Sequence, residues 1–329
     1  MKNLMINSAL LDIFDFPSRN IVLSEETMNL DDQMVEKYVR AQIVKCFQDI
    51  RCQDGFFHEG SPFLNTLKSY TRLPSFSSEL AETFITPYKG QIDTSFDVLY
   101  VDFQCDDVPY IGMFFLESQR AITHHTQISD QLYNTVVPST CVLPSTSKKL
   151  NTFAIINRIN YTIKYCDVKQ WPESVPNFLQ KQILDCTSEK SKKEILQDVQ
   201  TIVEEVAEQS EENNTVVLSK FKNYVKENSE ISDTLSFDSI AEHVFPESKA
   251  LQESFHAKTI EKELPKEVEL PPQSVQRTMK NQRIKTDTGI ELSFPTTYFQ
   301  SPEYIEFINK PDGTISIEIK NIGKIIPKG

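Results

Sequence analysis

Glycine is scarce in this chain: 8 of 329 residues, of which the closest pair, Gly55 and Gly60, stand five apart. No G-x-G-x-x-G turn and no complete Walker A loop can be written, which excludes enzymes that cradle nucleotide phosphates in either way. The six cysteines are scattered without a C-x-x-C pair, so they read as buried packing thiols rather than a disulfide framework or a zinc site. No apolar run approaches the roughly 18 residues that span a bilayer. The first residues, Met1-Lys2-Asn3-Leu4-Met5-Ile6-Asn7, lack the apolar centre of an export signal, and a cytoplasmic protein is expected. Basic residues are outnumbered, 34 Lys and Arg against 47 Asp and Glu, for a net charge of −13. Whole-molecule attraction to phosphate would need the opposite sign, so any contact with nucleic acid must be local.

Catalytic constellations are also missing. His124 and His125 adjoin, which sends their side chains apart on a strand, and His58-Glu59 lacks the second histidine of H-E-x-x-H. Neither a metal nor a cofactor is expected. Asp97 and Asp102 are five apart and face opposite sides of a strand, so they do not form an acid/base pair. Ser139, Ser145 and Ser147 lack the G-x-S-x-G elbow. Pro311-Asp312 followed by Glu318-Ile319-Lys320 spells a metal-nuclease signature, but six residues of strand hold Asp312 and Glu318 roughly 20 Å apart, too far to share a cation. The expectation is a protein that is not an enzyme.

What is present suits two domains, since single cores stop growing at about 250–300 residues. Short apolar runs at Leu4 to Leu11 and Ile21 to Leu23 read as strands, and Val35, Tyr38, Val39, Ile43, Cys46, Phe47 and Ile50 as an amphipathic helix capped by Asp31. Ser61-Pro62 starts another helix, and Ser77 or Ser78 a third. Phe96 to Phe103 and Tyr110 to Leu116 form the hairpin expected at the centre of an N-terminal sheet, with a further strand pair within Phe153 to Tyr165. From about Pro176 helix-formers take over, at Phe178 to Cys186, Lys190 to Glu208, Val216 to Glu227, Phe237 to Phe245 and Glu247 to Leu264. Strands return at Ile290 to Phe294, Tyr304 to Asn309 and Thr314 to Lys320, where alternation places Ile315, Ile317 and Ile319 on one buried face. The expected class is α+β: an N-terminal mixed sheet with flanking helices over 1–174, and over 175–329 a C-terminal domain of acidic helices closed by a small antiparallel sheet.

These blocks resemble the bacterial nucleoid-associated protein family of the YejK/NdpA type. The resemblance is carried by Ile6-Asn7-Ser8-Ala9-Leu10, the hydrophobic hairpin Val98 to Leu116 with Tyr110-Ile111 opening its second strand, the acidic helical middle, and Gly289-Ile290-Glu291-Leu292-Ser293-Phe294 after a basic stretch. It implies a cytoplasmic, nucleoid-located partner of double-stranded DNA, and no short catalytic signature defines the family.

Charge narrows the place of contact. Residues 187–270 hold 10 basic and 19 acidic residues, whereas 271–329 hold 8 and 6. Arg277, Lys280, Arg283 and Lys285 occur with no acid between Pro271 and Thr286, and the first three, spaced by three, would form a helical stripe able to meet successive phosphates. Gln273, Asn281 and Gln282 add hydrogen-bonding groups. The bland reading of the same residues is a solvated face, or partners for the acidic helices. Those helices either repel DNA from all but the basic edge, or meet a basic protein, or serve solubility. A rival to direct DNA binding is an adaptor recruited to the nucleoid through a DNA enzyme such as a topoisomerase. A homodimer is compatible with either reading.

Overall fold

The structure, a computed structural model, describes residues 3–128, 132–168, 175–209, 214–272, 275, 281–298, 303–310 and 314–324. The chain divides into two compact units, Met1–Ser191 and Lys192–Gly329.

In the first unit β1 (Leu4–Asp15) and β2 (Asn20–Val22) precede α1 (Gln33–Phe47), β3 (Gln53–Phe56), α2 (Pro62–Lys68) and α3 (Leu73–Leu80). Then come β4 (Ser95–Cys105), β5 (Val108–Glu117), β6 (Gln119–Ile128), β7 (Leu132–Val142), β8 (Thr152–Asn157) and β9 (Thr162–Asp167). Seven of these strands make one sheet in the order β2-β1-β4-β5-β8-β9-β3. Every pairing in it is antiparallel, so the expected mixture of strand directions is absent.

Local chemistry sets the element ends. Asp32, not Asp31, caps α1, its carboxylate accepting from the Met34 amide at 2.8 Å. Ser61 caps α2, and α3 begins at Leu73 with Pro74 in its first turn, so Ser77 is a buried residue inside the helix rather than its start. The β4–β5 turn is Asp106-Asp107, both left-handed at φ 49° and 67°. Two-residue hairpins need that backbone, and aspartate is among the few side chains that tolerate it.

The central strands read as continuous apolar runs because both faces are covered. Phe96, Val98 and Tyr100 pack with α2 and α3, whereas Leu99, Val101 and Phe103 pack with Val39 and Ile43 of α1. Each such burial contributes about 1.5–3 kcal/mol. Residues Phe178–Leu184 form a π-helix that sends Phe178, Leu179, Ile183 and Leu184 into the α2–α3 side of the same core. Beyond it Thr187 and Glu189 donate their amides to Phe56 and Asp54 of β3 at 2.8 and 2.9 Å. These contacts carry the first unit past residue 174, to Ser191. Cys46, Cys52, Cys105, Cys166 and Cys186 are buried free thiols.

The second unit comprises α4 (Lys192–Ala207), α5 (Asn214–Ile231), β10 (Thr234–Ser236), α6 (Phe237–Val244), α7 (Lys249–Glu261) and β11 (Glu267–Glu269). It continues with β12 (Asn281–Lys285), β13 (Glu291–Pro295), β14 (Ile305–Asn309) and β15 (Ile315–Ile319). Val199, Ile202, Val203 and Val206 recur on one face of α4 and pack with Phe221, Ile240 and Phe255. At the border of this apolar face Glu205 pairs with Lys258 of α7 at 2.5 Å and Lys262 just beyond it at 3.7 Å. The strands form antiparallel pairs β10–β11, β12–β13 and β14–β15, and the class is α+β. Among the described residues no helix is long and apolar enough to cross a membrane.

Candidate nucleic-acid interface

Of the four basic residues singled out in the tail, Arg277 and Lys280 lie outside the described residues. Arg283 and Lys285 are on β12, a strand, so the helical stripe expected to include Arg283 does not extend to it. On a strand these two residues still share a face, and both are exposed. Opposite Lys285 stands Glu291 of β13, with the ammonium 3.4 Å from the carboxylate and both side chains about 70% exposed, at 70% and 73%. A pair so open to water is worth about 0–1 kcal/mol, so Lys285 can exchange Glu291 for a phosphate at little cost.

The other face of this hairpin is apolar. Ile284 stands opposite Leu292, and these face a cleft of about 760 Å³ whose other wall is Phe307, Ile315, Ile317 and Ile319 of β14–β15. The isoleucines of β15 were expected on a buried face. Ile315 and Ile319 are instead 48% and 47% exposed, because they line an open cleft rather than a filled core. On the far side of β14–β15 Glu306 opposes Glu318, and Lys320 bridges the two carboxylates. Glu318 is thus an ion-pair residue on a wet face, and Asp312 lies outside the described residues.

In the first unit Asp97 and Asp102 occupy opposite faces of β4. Burial pushes the Asp97 carboxyl up to about 6. Asp102 accepts from Asn7 Nδ2 at 2.8 Å, Tyr70 Oη at 2.7 Å and Arg158 Nη1 at 3.0 Å, while the Arg158 guanidinium lies over the Tyr70 ring. This saturated network ties β1 and β4 to the loop after α2 and to the β8–β9 turn. His124 and His125 stand opposite Val136 and Thr135 on β7, so they face opposite sides of their strand.

Residue periodicity gives no sign of the β6–β7 pair. Its strands lack the apolar alternation that marks a half-buried strand, and they form a two-stranded ribbon outside the seven-stranded sheet. A signal was nevertheless present. Between Glu117 and Asp167 the sole carboxylate in the sequence is Asp130, against Arg120, Lys148, Lys149, Arg158 and Lys164. The tail is therefore not the one basic stretch of this acidic chain.

Residues 12–327 match the family described as nucleoid-associated protein YejK. No curated protein matches the chain. The match spans both units, from β1 through the tail hairpins, and the chain belongs to the nucleoid-associated protein YejK family.

Proposed function

We propose that the protein binds double-stranded DNA directly, as a nucleoid component that catalyses no reaction on it. The observation that carries this reading is the segregation of charge. In a family named for the nucleoid, a chain of net charge −13 sets Arg283 and Lys285 on one exposed face of β12, within a terminal segment that is net positive. Phosphate contacts of this kind position a protein without reading sequence. The separated faces of Asp97 and Asp102, and of His124 and His125, favour binding over catalysis.

The cleft favours a second reading. Its half-exposed isoleucines suit an apolar protein segment better than a phosphate backbone, as in an adaptor that reaches the nucleoid through a DNA enzyme such as a topoisomerase. A second copy of the chain is another occupant. Titration of the purified protein with duplex DNA at several salt concentrations separates the readings. Direct contact gives log K falling linearly with log salt, by about 0.9 for each phosphate engaged. Absence of binding at low salt would leave the adaptor.

A further inference from the structure

Among the described residues the ribbon β6–β7 packs on no other helix or strand to any substantial extent, and most of its described side chains are exposed. Each strand has ten or eleven residues, so at about 3.3 Å per residue the ribbon is roughly 33 Å long. That is close to one turn of B-DNA, and the major groove admits a two-stranded ribbon. Its polar side chains are neutral donors and acceptors, Thr123, Thr126, Gln127, Asn134 and Thr135 among them, with Arg120 near the base. An even spread of the chain's 47 carboxylates would place about seven in residues 118–166, where Asp130 stands alone.

A cation cluster lies where the chain leaves the ribbon. The segment after β7 is held on α1, with Tyr38 Oη donating to the Pro144 carbonyl at 3.0 Å and Lys45 Nζ to the carbonyls of Thr146, at 2.6 Å, and Lys148. Arg51 donates to the Leu150 carbonyl at 2.6 Å, and Lys149 lies 3.5 Å from Asp49. Lys45, Arg51 and Lys149 thus gather along this segment, which also carries the exposed Lys148, and the carboxylate bonded to Arg51 and Lys149, Asp49, has a side chain only 3% exposed. Glu117, at the ribbon's foot, is held by Asn151 Nδ2 at 2.9 Å.

We infer that the β6–β7 ribbon and the cations at its base are a docking surface for duplex DNA, with the ribbon in a groove and Arg120 and Lys148 against the flanking phosphates. This rests on the reading that the protein binds DNA directly, and it moves the principal contact from the tail to the first unit. Charge selects DNA over a second copy of the chain, because a self-associating arm has no need to exclude carboxylates. Exposed Ile122, Leu132 and Val136 suit thymine methyls and sugar faces, which are apolar.

The test uses the full chain. Arg120→Gln with Lys148→Gln removes two exposed charges, and Arg120→Lys with Lys148→Arg keeps them. The first variant is expected to bind several-fold more weakly on unrelated duplexes, with a salt slope smaller by about 1.8, and the second to retain the parental slope. Thermal melts of both should match the parent. A parent that binds DNA with a slope unchanged in the first variant overturns the ribbon surface and leaves DNA binding standing. A parent that does not bind at low salt overturns both. Sedimentation supplies the remaining outcome: if Ile122→Asp converts a dimer to a monomer and leaves the salt slope intact, the ribbon is a self-association arm and the proposal fails.

Discussion

Asp49 and Arg51 form a two-pronged ion pair, in which Arg51 Nη2 reaches Asp49 Oδ2 at 2.7 Å and Nε lies 3.0 Å from both carboxylate oxygens. Burial alone would raise the Asp49 carboxyl. The hydrogen bonds and charge of Arg51, with the charge of Lys149, outweigh that effect and hold it below the usual carboxylate range. A depressed folded value contributes stability above the unfolded value, near pH 4, that is lost as pH falls through the folded one. Asp49→Asn should therefore destabilise the first unit by roughly 2–4 kcal/mol at pH 7, and the penalty should shrink below about pH 4. Urea melts at pH 7 and pH 3 test this, and equal penalties at the two would contradict it.

Asp97 works in the opposite sense. Its folded value is raised to about 6 by burial, so the stability tied to its protonated form is complete below about pH 4 and is lost as pH rises through 6. With partial exposure discounted, Asp97→Asn should stabilise the protein by about 1–2 kcal/mol at pH 8. At pH 4 the two proteins should melt alike.

Gly55 is fixed by a neighbour rather than by its own dihedrals. A Cβ there would stand 2.4 Å from the Thr187 carbonyl oxygen, a backbone atom that cannot step aside as a side chain would. Gly55→Ala should cost about 1–3 kcal/mol, whereas Gly90→Ala, with nothing near its Cβ, should be within about 0.5 kcal/mol of the parent. Paired chemical melts decide between them.

In the tail, Ile305 is 5% exposed and its cross-strand partner Ile319 is 47% exposed. Ile305→Ala should cost about 2–4 kcal/mol and Ile319→Ala under about 1 kcal/mol. Comparable losses in the two melts would mean that the cleft is filled in solution.

Most of the first unit's sheet was legible because β4 and β5 are rich in aromatic and β-branched residues and are separated by the turn-forming Asp106-Asp107. The helices of the second unit were legible from their period. Four features were not. The β6–β7 ribbon buries neither face, so apolar alternation, the usual signature of a strand, never developed. The exposure of Ile315 and Ile319 depends on how far β12–β13 stands from β14–β15, which no period encodes. Arg283 and Lys285 lie in a run whose spacing suits a helix, but pairing with β13 placed them on a strand. The ribbon cations were hidden for another reason: Lys148 and Lys149 are almost thirty residues from Arg120 in sequence, and only the segment laid along α1 brings them to the ribbon's base.

The hydrogen bonds from Thr187 and Glu189 to β3 have a consequence for solubility. β3 ends the seven-stranded sheet, and an edge strand is a template on which other chains can pair. The returning segment occupies that template, with a further bridge between Phe57 and Cys186. At the opposite edge β2 is only three residues long. It pairs only with Ile13, Phe14 and Asp15 of β1, and further along that edge Ser24 Oγ donates to the Leu11 carbonyl at 2.5 Å and the Met28 amide to the Ala9 carbonyl at 2.7 Å, so residues 24–28 occupy part of the second margin. A fragment ending at residue 174 would bare β3 and should aggregate, whereas one ending at Ser191 retains its own cover.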